Sequence, residues 1–168
     1  MTPESARPSV TLRRGGREDL AAVNAVIGRA IDTWNLAPRV KRLSIPLYHY
    51  QPHDLDHLEL MVAEHDSAGE PAIVAVAAWE PADREQLPPE RTGLLLHGLY
   101  VDPAAARRGI GALLLDACRE TARAQGLDGV LVKATADSER YFQERGLEHL
   151  PVVRPERDYA RRYWLAVS

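Results

Sequence analysis

Cysteine is almost missing from this chain. Cys118 is its one thiol, which excludes an intrachain disulfide framework and a cysteine-rich zinc site and fits a reducing, cytoplasmic setting. Lysine is nearly as scarce: only Lys41 and Lys133 stand among the arginines, which reads as coding bias rather than function. Neither sign of charge dominates. A net charge of -3 gives no general electrostatic case for nucleic acid. Long apolar runs are lacking too, since the longest, Ala72 to Trp79, is far too short to cross a bilayer. The opening MTPESARPSV has no apolar core of the kind a signal peptide needs. No repeat or low-complexity block is present.

What the chain does have is length and pattern. Its 168 residues suffice for one domain with a sizeable core, expected over 10–168 behind a disordered tail at 1–9. Val10 to Arg13 reads as a first strand. Leu20, Val23, Ile27, Ile31 and Trp34 recur at helical spacing, with Glu18 and Asp19 at the favourable end of that helix. Residues 35–57 carry aromatics, prolines and histidines and are expected to be irregular, with room for one short helix. Two strands, Leu58 to Ala63 and Ala72 to Trp79, flank the turn-like HDSAGEP as an antiparallel hairpin. A strand over 94–101, a helix from about Gly109 to Gln125, a strand over Val130 to Ala134 and a short helix over Asp137 to Arg145 follow. Gly126 and Gly146 are placed to end the two helices, and Cys118 falls on the packed face of the first. One or two strands close the chain, the last packing Tyr163 and Leu165. The order predicts an α/β fold with a mixed sheet and helices on both faces.

The most informative stretch is LHGLYVDPAAARRGIGALLL. A strand breaks at Asp102-Pro103, and a loop then carries Arg107, Arg108, Gly109, Ile110 and Gly111 into a helix. Small residues, bare amides and the positive end of a helix dipole suit a phosphate-bearing ligand. Two familiar phosphate motifs fail on residues. A dinucleotide fingerprint needs a third glycine where Leu114 stands, and a P-loop needs a lysine that this segment lacks. The plainer alternative is a helix start whose glycines serve packing alone.

That stretch, together with ADSERYFQERGLEHL, resembles the GNAT superfamily of N-acetyltransferases. The resemblance implies a mostly antiparallel central sheet with splayed strands, and acetyl-CoA as co-substrate. It assigns Leu99, Tyr100 and Val101 to the pantetheine arm and the amides of Arg107, Arg108, Gly109, Ile110, Gly111 and Ala112 to the pyrophosphate. Ser138, Tyr141 and Phe142 would border the coenzyme from the second block. Gly98 fits the strand bulge of these proteins. The chain departs from the family pattern at Ala106, where Gln or Arg is usual, and at Thr135, where Asn is frequent. Phe142 stands where a tyrosine is common, with Tyr141 as its neighbour, and adjacent helix residues point about 100° apart.

The implied reaction is direct attack of an amine on the acetyl thioester. An amide of Tyr100 or Val101 would polarise the carbonyl. His97 is the candidate base, since histidine titrates closest to neutrality, and a hydrogen-bonded strand histidine is the plain alternative. Tyr141 is the candidate acid, with Ser138 or water as substitutes and a packing role as its alternative. The HDLDHLE cluster holds His53 and His57 four apart, a spacing that binds zinc on a helix. Pro52 before it and a strand after it argue for a solvated loop or an acidic rim for a cationic amine, so no metal is expected. Trp34, Tyr48 and Tyr50 could line an apolar pocket or simply pack under a loop. The expected acceptor is a small-molecule amine, without nucleic acid or membrane, and a homodimer is left open. A peptide N-terminus as acceptor and a non-catalytic, CoA-binding regulatory module are the alternatives.

Overall fold

The computed structural model describes residues 9–65 and 70–168. The tail expected at 1–9 therefore lies outside the described residues except for Ser9, as does most of the HDSAGEP turn. Among the described residues, seven strands form one sheet: β1 Val10–Gly15, β2 Glu59–His65, β3 Ala72–Pro81, β4 Gly93–Val101, β5 Gly129–Lys133, β6 Glu148–His149 and β7 Arg162–Ala166. Their hydrogen-bonded order is β1-β2-β3-β4-β5-β7-β6. Four helices accompany them, α1 Leu20–Asp32, α2 Pro38–Tyr48, α3 Ile110–Ala124 and α4 Glu139–Glu144. By compactness the chain divides into two units, and β3, β4 and α3 each contribute to both.

The first unit comprises the residues up to Ala78 together with Gly98–Leu115. Here β1 runs antiparallel to β2, from Val10 opposite His65 to Gly15 opposite Leu60. The helical spacing expected of α1 is realised: Leu20, Val23, Ile27 and Ile31 are buried with Leu58, Leu60, Val62, Val76 and Ala78. Asp19 fixes the helix start. Its carboxylate takes both terminal nitrogens of Arg13, at 2.8 and 2.9 Å, and the amide of Gly16 at 2.8 Å. The Arg13 guanidinium, which also pairs with Glu64, holds the Asp19 carboxyl below the usual range.

The segment expected to be irregular contains a full helix. In α2, Pro38 occupies the first turn, where its missing N–H costs nothing, and Pro46 lies in the last turn. Not one α2 residue is fully buried. Ile45 packs partly buried against the core of this unit, while Leu43 and Leu47 are exposed. A short 3-10 turn over Pro52–Asp56 follows.

The second unit comprises Trp79–His97 and Asp116–Ser168. The start of β4 pairs parallel with β5, from Gly93 opposite Gly129 to Leu96 opposite Val132. β5 and β6 both pair antiparallel with β7. Leu87, Leu131, Leu150 and Trp164 form a core cluster, and Cys118 is buried as expected. Gly126 and Gly146, at φ 72° and 82°, end α3 and α4. In both cases the next residue donates back to the helix, Leu127 to Ala122 and Leu147 to Phe142. The expected inward pair of the last strand needs correction. Arg162, Tyr163 and Trp164 are all buried in succession, and Leu165 only partly. The guanidinium of Arg162 is satisfied by the carbonyls of Gln86, Pro151 and Tyr159, so a charge is buried where alternation would expose one.

Candidate active site

The parallel register of β4 with β5 stops at Leu96. His97 follows with its side chain exposed, and then Gly98. In the first unit, Gly98 is a position of close approach. A Cβ there would lie 2.5 Å from Tyr50 Oη and 2.7 Å from Tyr100 Cε2, so any side chain would have to displace one of the two phenols. Tyr50 is buried and held by its backbone. Asn24 of α1 accepts from its N–H at 2.8 Å and donates to its carbonyl at 2.9 Å. Tyr100 packs partly buried against the same core, and burial, followed by the charge of Tyr48, pushes its phenol up. Tyr48 in turn meets Trp34 edge to face, with centroids 5.5 Å apart.

The end of β4 is anchored by Asp102. Its N–H donates to Val74 O at 2.8 Å, and its carboxylate accepts from Ala104 N at 3.1 Å. The same carboxylate pairs with Arg29 of α1, at 2.7 Å and 2.9 Å from two guanidinium nitrogens. After a 3-10 turn over Pro103–Ala105, the chain passes twice through left-handed backbone, at Arg107 (φ 64°) and Gly109 (φ 78°). For Arg107 that conformation costs about 1–2 kcal/mol. Nothing lies within 4 Å of where a Cβ on Gly109 would stand, so that glycine answers a backbone need rather than a shortage of space.

The loop delivers α3 with its first amides open. Leu113 N donates to Gly109 O, so the N–H groups of Ile110, Gly111 and Ala112 precede the first helical bond. Ile110 is buried and seats the helix, while Arg107, Arg108 and Gly109 are exposed. Open amides, a helix dipole and two guanidiniums make a donor set that fits a diphosphate.

The second unit holds the other predicted residues. On α4, Phe142 is buried and Tyr141 half-buried, their rings edge to face with centroids 5.3 Å apart. The Arg145 guanidinium lies 4.8 Å over the Tyr141 ring. The Tyr141 hydroxyl is closed off from solvent and has no hydrogen-bond partner among the described residues. Ser138 differs, because its hydroxyl accepts from Thr135 N at 2.9 Å and from Thr135 Oγ1 at 3.0 Å. It stabilises the turn into α4. Among the described residues no group of three His, Cys, Asp or Glu side chains is placed to hold a metal. In the HDLDHLE cluster, Asp54 instead accepts from Gln51 N at 2.6 Å.

Asn24, Arg29 and Asp102 were missed as site builders. Asn24 carries a faint sequence signal, a polar side chain within an apolar helical pattern. The ion pair of Arg29 with a residue 73 positions away carries none.

The family model for the acetyltransferase (GNAT) family matches residues 29–164. No curated protein matches the chain in sequence. Among solved structures, a GNAT-family acetyltransferase from Desulfovibrio desulfuricans shares 18% identity and a TM-score of 0.68, over 95% of this chain and 99% of its own. A GNAT-family acetyltransferase from Brucella melitensis in complex with acetyl-CoA has the same identity and a TM-score of 0.60, over 94% and 87%. A third similar structure is a mutant of the toxin AtaT bound to the C-terminus of the antitoxin AtaR and acetyl-CoA. It shares 13% identity and a TM-score of 0.60, over 95% and 94%. With a family model spanning most of its length and this fold, the chain belongs to the GNAT family and is an acetyl-CoA-dependent acyltransferase.

Proposed function

We propose that the protein transfers the acetyl group of acetyl-CoA to the primary amine of a small molecule, by direct attack of the amine on the thioester. The observation that carries this reading is the loop at 106–109, which adopts two left-handed residues to present the open amides of α3 beside Arg107 and Arg108. In this reading the amides of Arg107 to Ala112 bind the pyrophosphate, and those of Leu99, Tyr100 and Val101 bind the pantetheine arm and polarise the carbonyl. The amine nitrogen bonds to the carbonyl carbon, the carbon–sulfur bond breaks, and the sulfur leaves with the electron pair.

Two proton transfers complete the reaction. His97 takes the proton from the amine, supported by its position on β4 beside Gly98. Tyr141 supplies a proton to the sulfur, supported by its sequestered hydroxyl without a partner. The Trp34–Tyr48 pair favours an amine with an apolar or aromatic body. A peptide or protein amine is the second reading, favoured by the likeness to a toxin solved with its antitoxin.

Thiol release from acetyl-CoA across a panel of small amines and peptides tests the acceptor class. Release with small amines and not with peptides is the expected outcome, and the reverse selects the second reading. In the same assay His97→Ala is expected to lower kcat at least tenfold, with acetyl-CoA affinity kept. Unchanged turnover removes His97 from the chemistry.

A further inference from the structure

Helix α2 wears its apolar residues on the outside. At about 100° per residue, Val40, Leu43 and Leu47 fall within one narrow arc, and Leu36, just before the helix, prolongs the line. Ile45, which packs partly buried against the core of the first unit, lies on the opposite side. Leu43 is 67% exposed and Leu47 83%, with Leu36 and Val40 exposed as well. Spacing at 36, 40, 43 and 47 is that of a helix–helix seam, displayed to the outside with no core beneath it.

Charge identifies what the seam is made to meet. From Thr33 to His53 the sequence contains no Asp or Glu, although the whole chain carries 24 acidic residues against 21 basic ones. The same stretch carries Arg39, Lys41 and Arg42. Lys41 is engaged, donating to Asp32 O at 2.6 Å. Arg39 and Arg42 are exposed and have no hydrogen-bond or ion-pair partner among the described residues. Arg39 lies about 40° beyond Leu43 on one side of the apolar line, and Arg42 follows about 60° further round on that same side. A second copy of this chain would bring the same acid-free face, placing four guanidiniums at one seam with no carboxylate to answer them. An anionic bilayer would answer the charge, but the net charge of -3 on the whole chain opposes its approach.

We infer that the outer face of α2 docks an amphipathic helix of a partner protein. That helix carries leucine-type residues at three- and four-residue spacing and a row of carboxylates along the edge that meets Arg39 and Arg42. The apolar line supplies contact, and the two arginines select orientation and partner, as edge charges do between paired helices. This surface is independent of the acetyl-transfer chemistry proposed above.

The test uses the full chain and two synthetic helical peptides with one shared leucine stripe, one edged with glutamate and the other with lysine. Fluorescence anisotropy is expected to show the glutamate-edged peptide binding at least tenfold more tightly. Leu43→Glu with Leu47→Glu, at positions open enough to keep the fold, is expected to weaken that binding at least tenfold, with circular dichroism and acetyl-CoA affinity unchanged. Arg39→Glu with Arg42→Glu is expected to reverse the preference. Equal affinity for the two peptides overturns the inference, as does binding that survives the double leucine change. A concentration-dependent dimer abolished by the leucine changes would reassign the face to self-association. Binding to phosphatidylserine vesicles abolished by the same changes would reassign it to a membrane.

Discussion

Strand β4 is built to two different specifications along its nine residues. Its first part, Gly93 to Leu96, is paired with β5, and Leu94 and Leu96 are buried. Glycine serves tight packing there. A Cβ on Gly93 would come within 2.7 Å of Gly129 O, and one on Gly129 would meet Leu165 O and the Trp164 ring, both at 2.5 Å. Its last part, Gly98 to Val101, lies beyond that register and is half-buried throughout. Glycine there makes room for two phenols, and the backbone ends at an aspartate tied to another helix. The first part resists any change of volume because backbone atoms block it. The second is bounded by side-chain tips that can shift at a cost in arrangement rather than in folding.

Three substitutions put this contrast at risk, in falling order of their effect on stability. Gly129→Ala is expected to destabilise by about 3 kcal/mol or more, since a carbonyl and an indole both stand in the way. Urea unfolding measures it, and a loss below 1 kcal/mol would show that the packing of β5 against the first part yields as readily as the second part does. Gly98→Ala should cost about 1–2 kcal/mol by the same assay, while displacing Tyr50 or Tyr100 and lowering turnover at least tenfold. A stability loss equal to that of Gly129→Ala, with turnover intact, would erase the distinction. Gly109→Ala comes last. The site has space for a methyl, so only the left-handed backbone is penalised, by about 1 kcal/mol. Its larger signature is expected in acetyl-CoA affinity, reduced about tenfold by a reshaped loop. Unaltered affinity would remove the loop from phosphate binding.

Much of this architecture was legible because local pattern and tertiary role agree. The α1 spacing faces a core, and Gly126 and Gly146 stop their helices through backbone geometry that only a few residues tolerate. Legibility failed where the two disagree. The period of α2 is helical, but its apolar side faces outward and two prolines interrupt its composition, so the pattern suggested loops with room for only a short helix. β7 was legible as a strand that buries Tyr163, but its faces were not: with Arg162, Tyr163 and Trp164 buried in a row, no alternation remains to be read. At the site, a glycine in a strand announced a close approach, but nothing in the local sequence says that Tyr50, 48 residues earlier, fills the space. The loop itself was readable from Arg107 to Gly111, since glycine before a helix is a local signal. Arg29, which holds the residue before that loop, was not.

The bond between Arg29 and Asp102 also has a consequence in time. A ribosome makes α1 long before it reaches the end of β4, so Arg29 is finished while its partner does not yet exist. Its two ends lie 73 positions apart in the chain, and closing so long a loop carries an entropic cost that local contacts within α1 do not. The turn after β4 thus gains this fastening late, once residues far apart in the chain have met. A chain stalled before residue 102 would lack this contact altogether, and with it the turn that leads into α3.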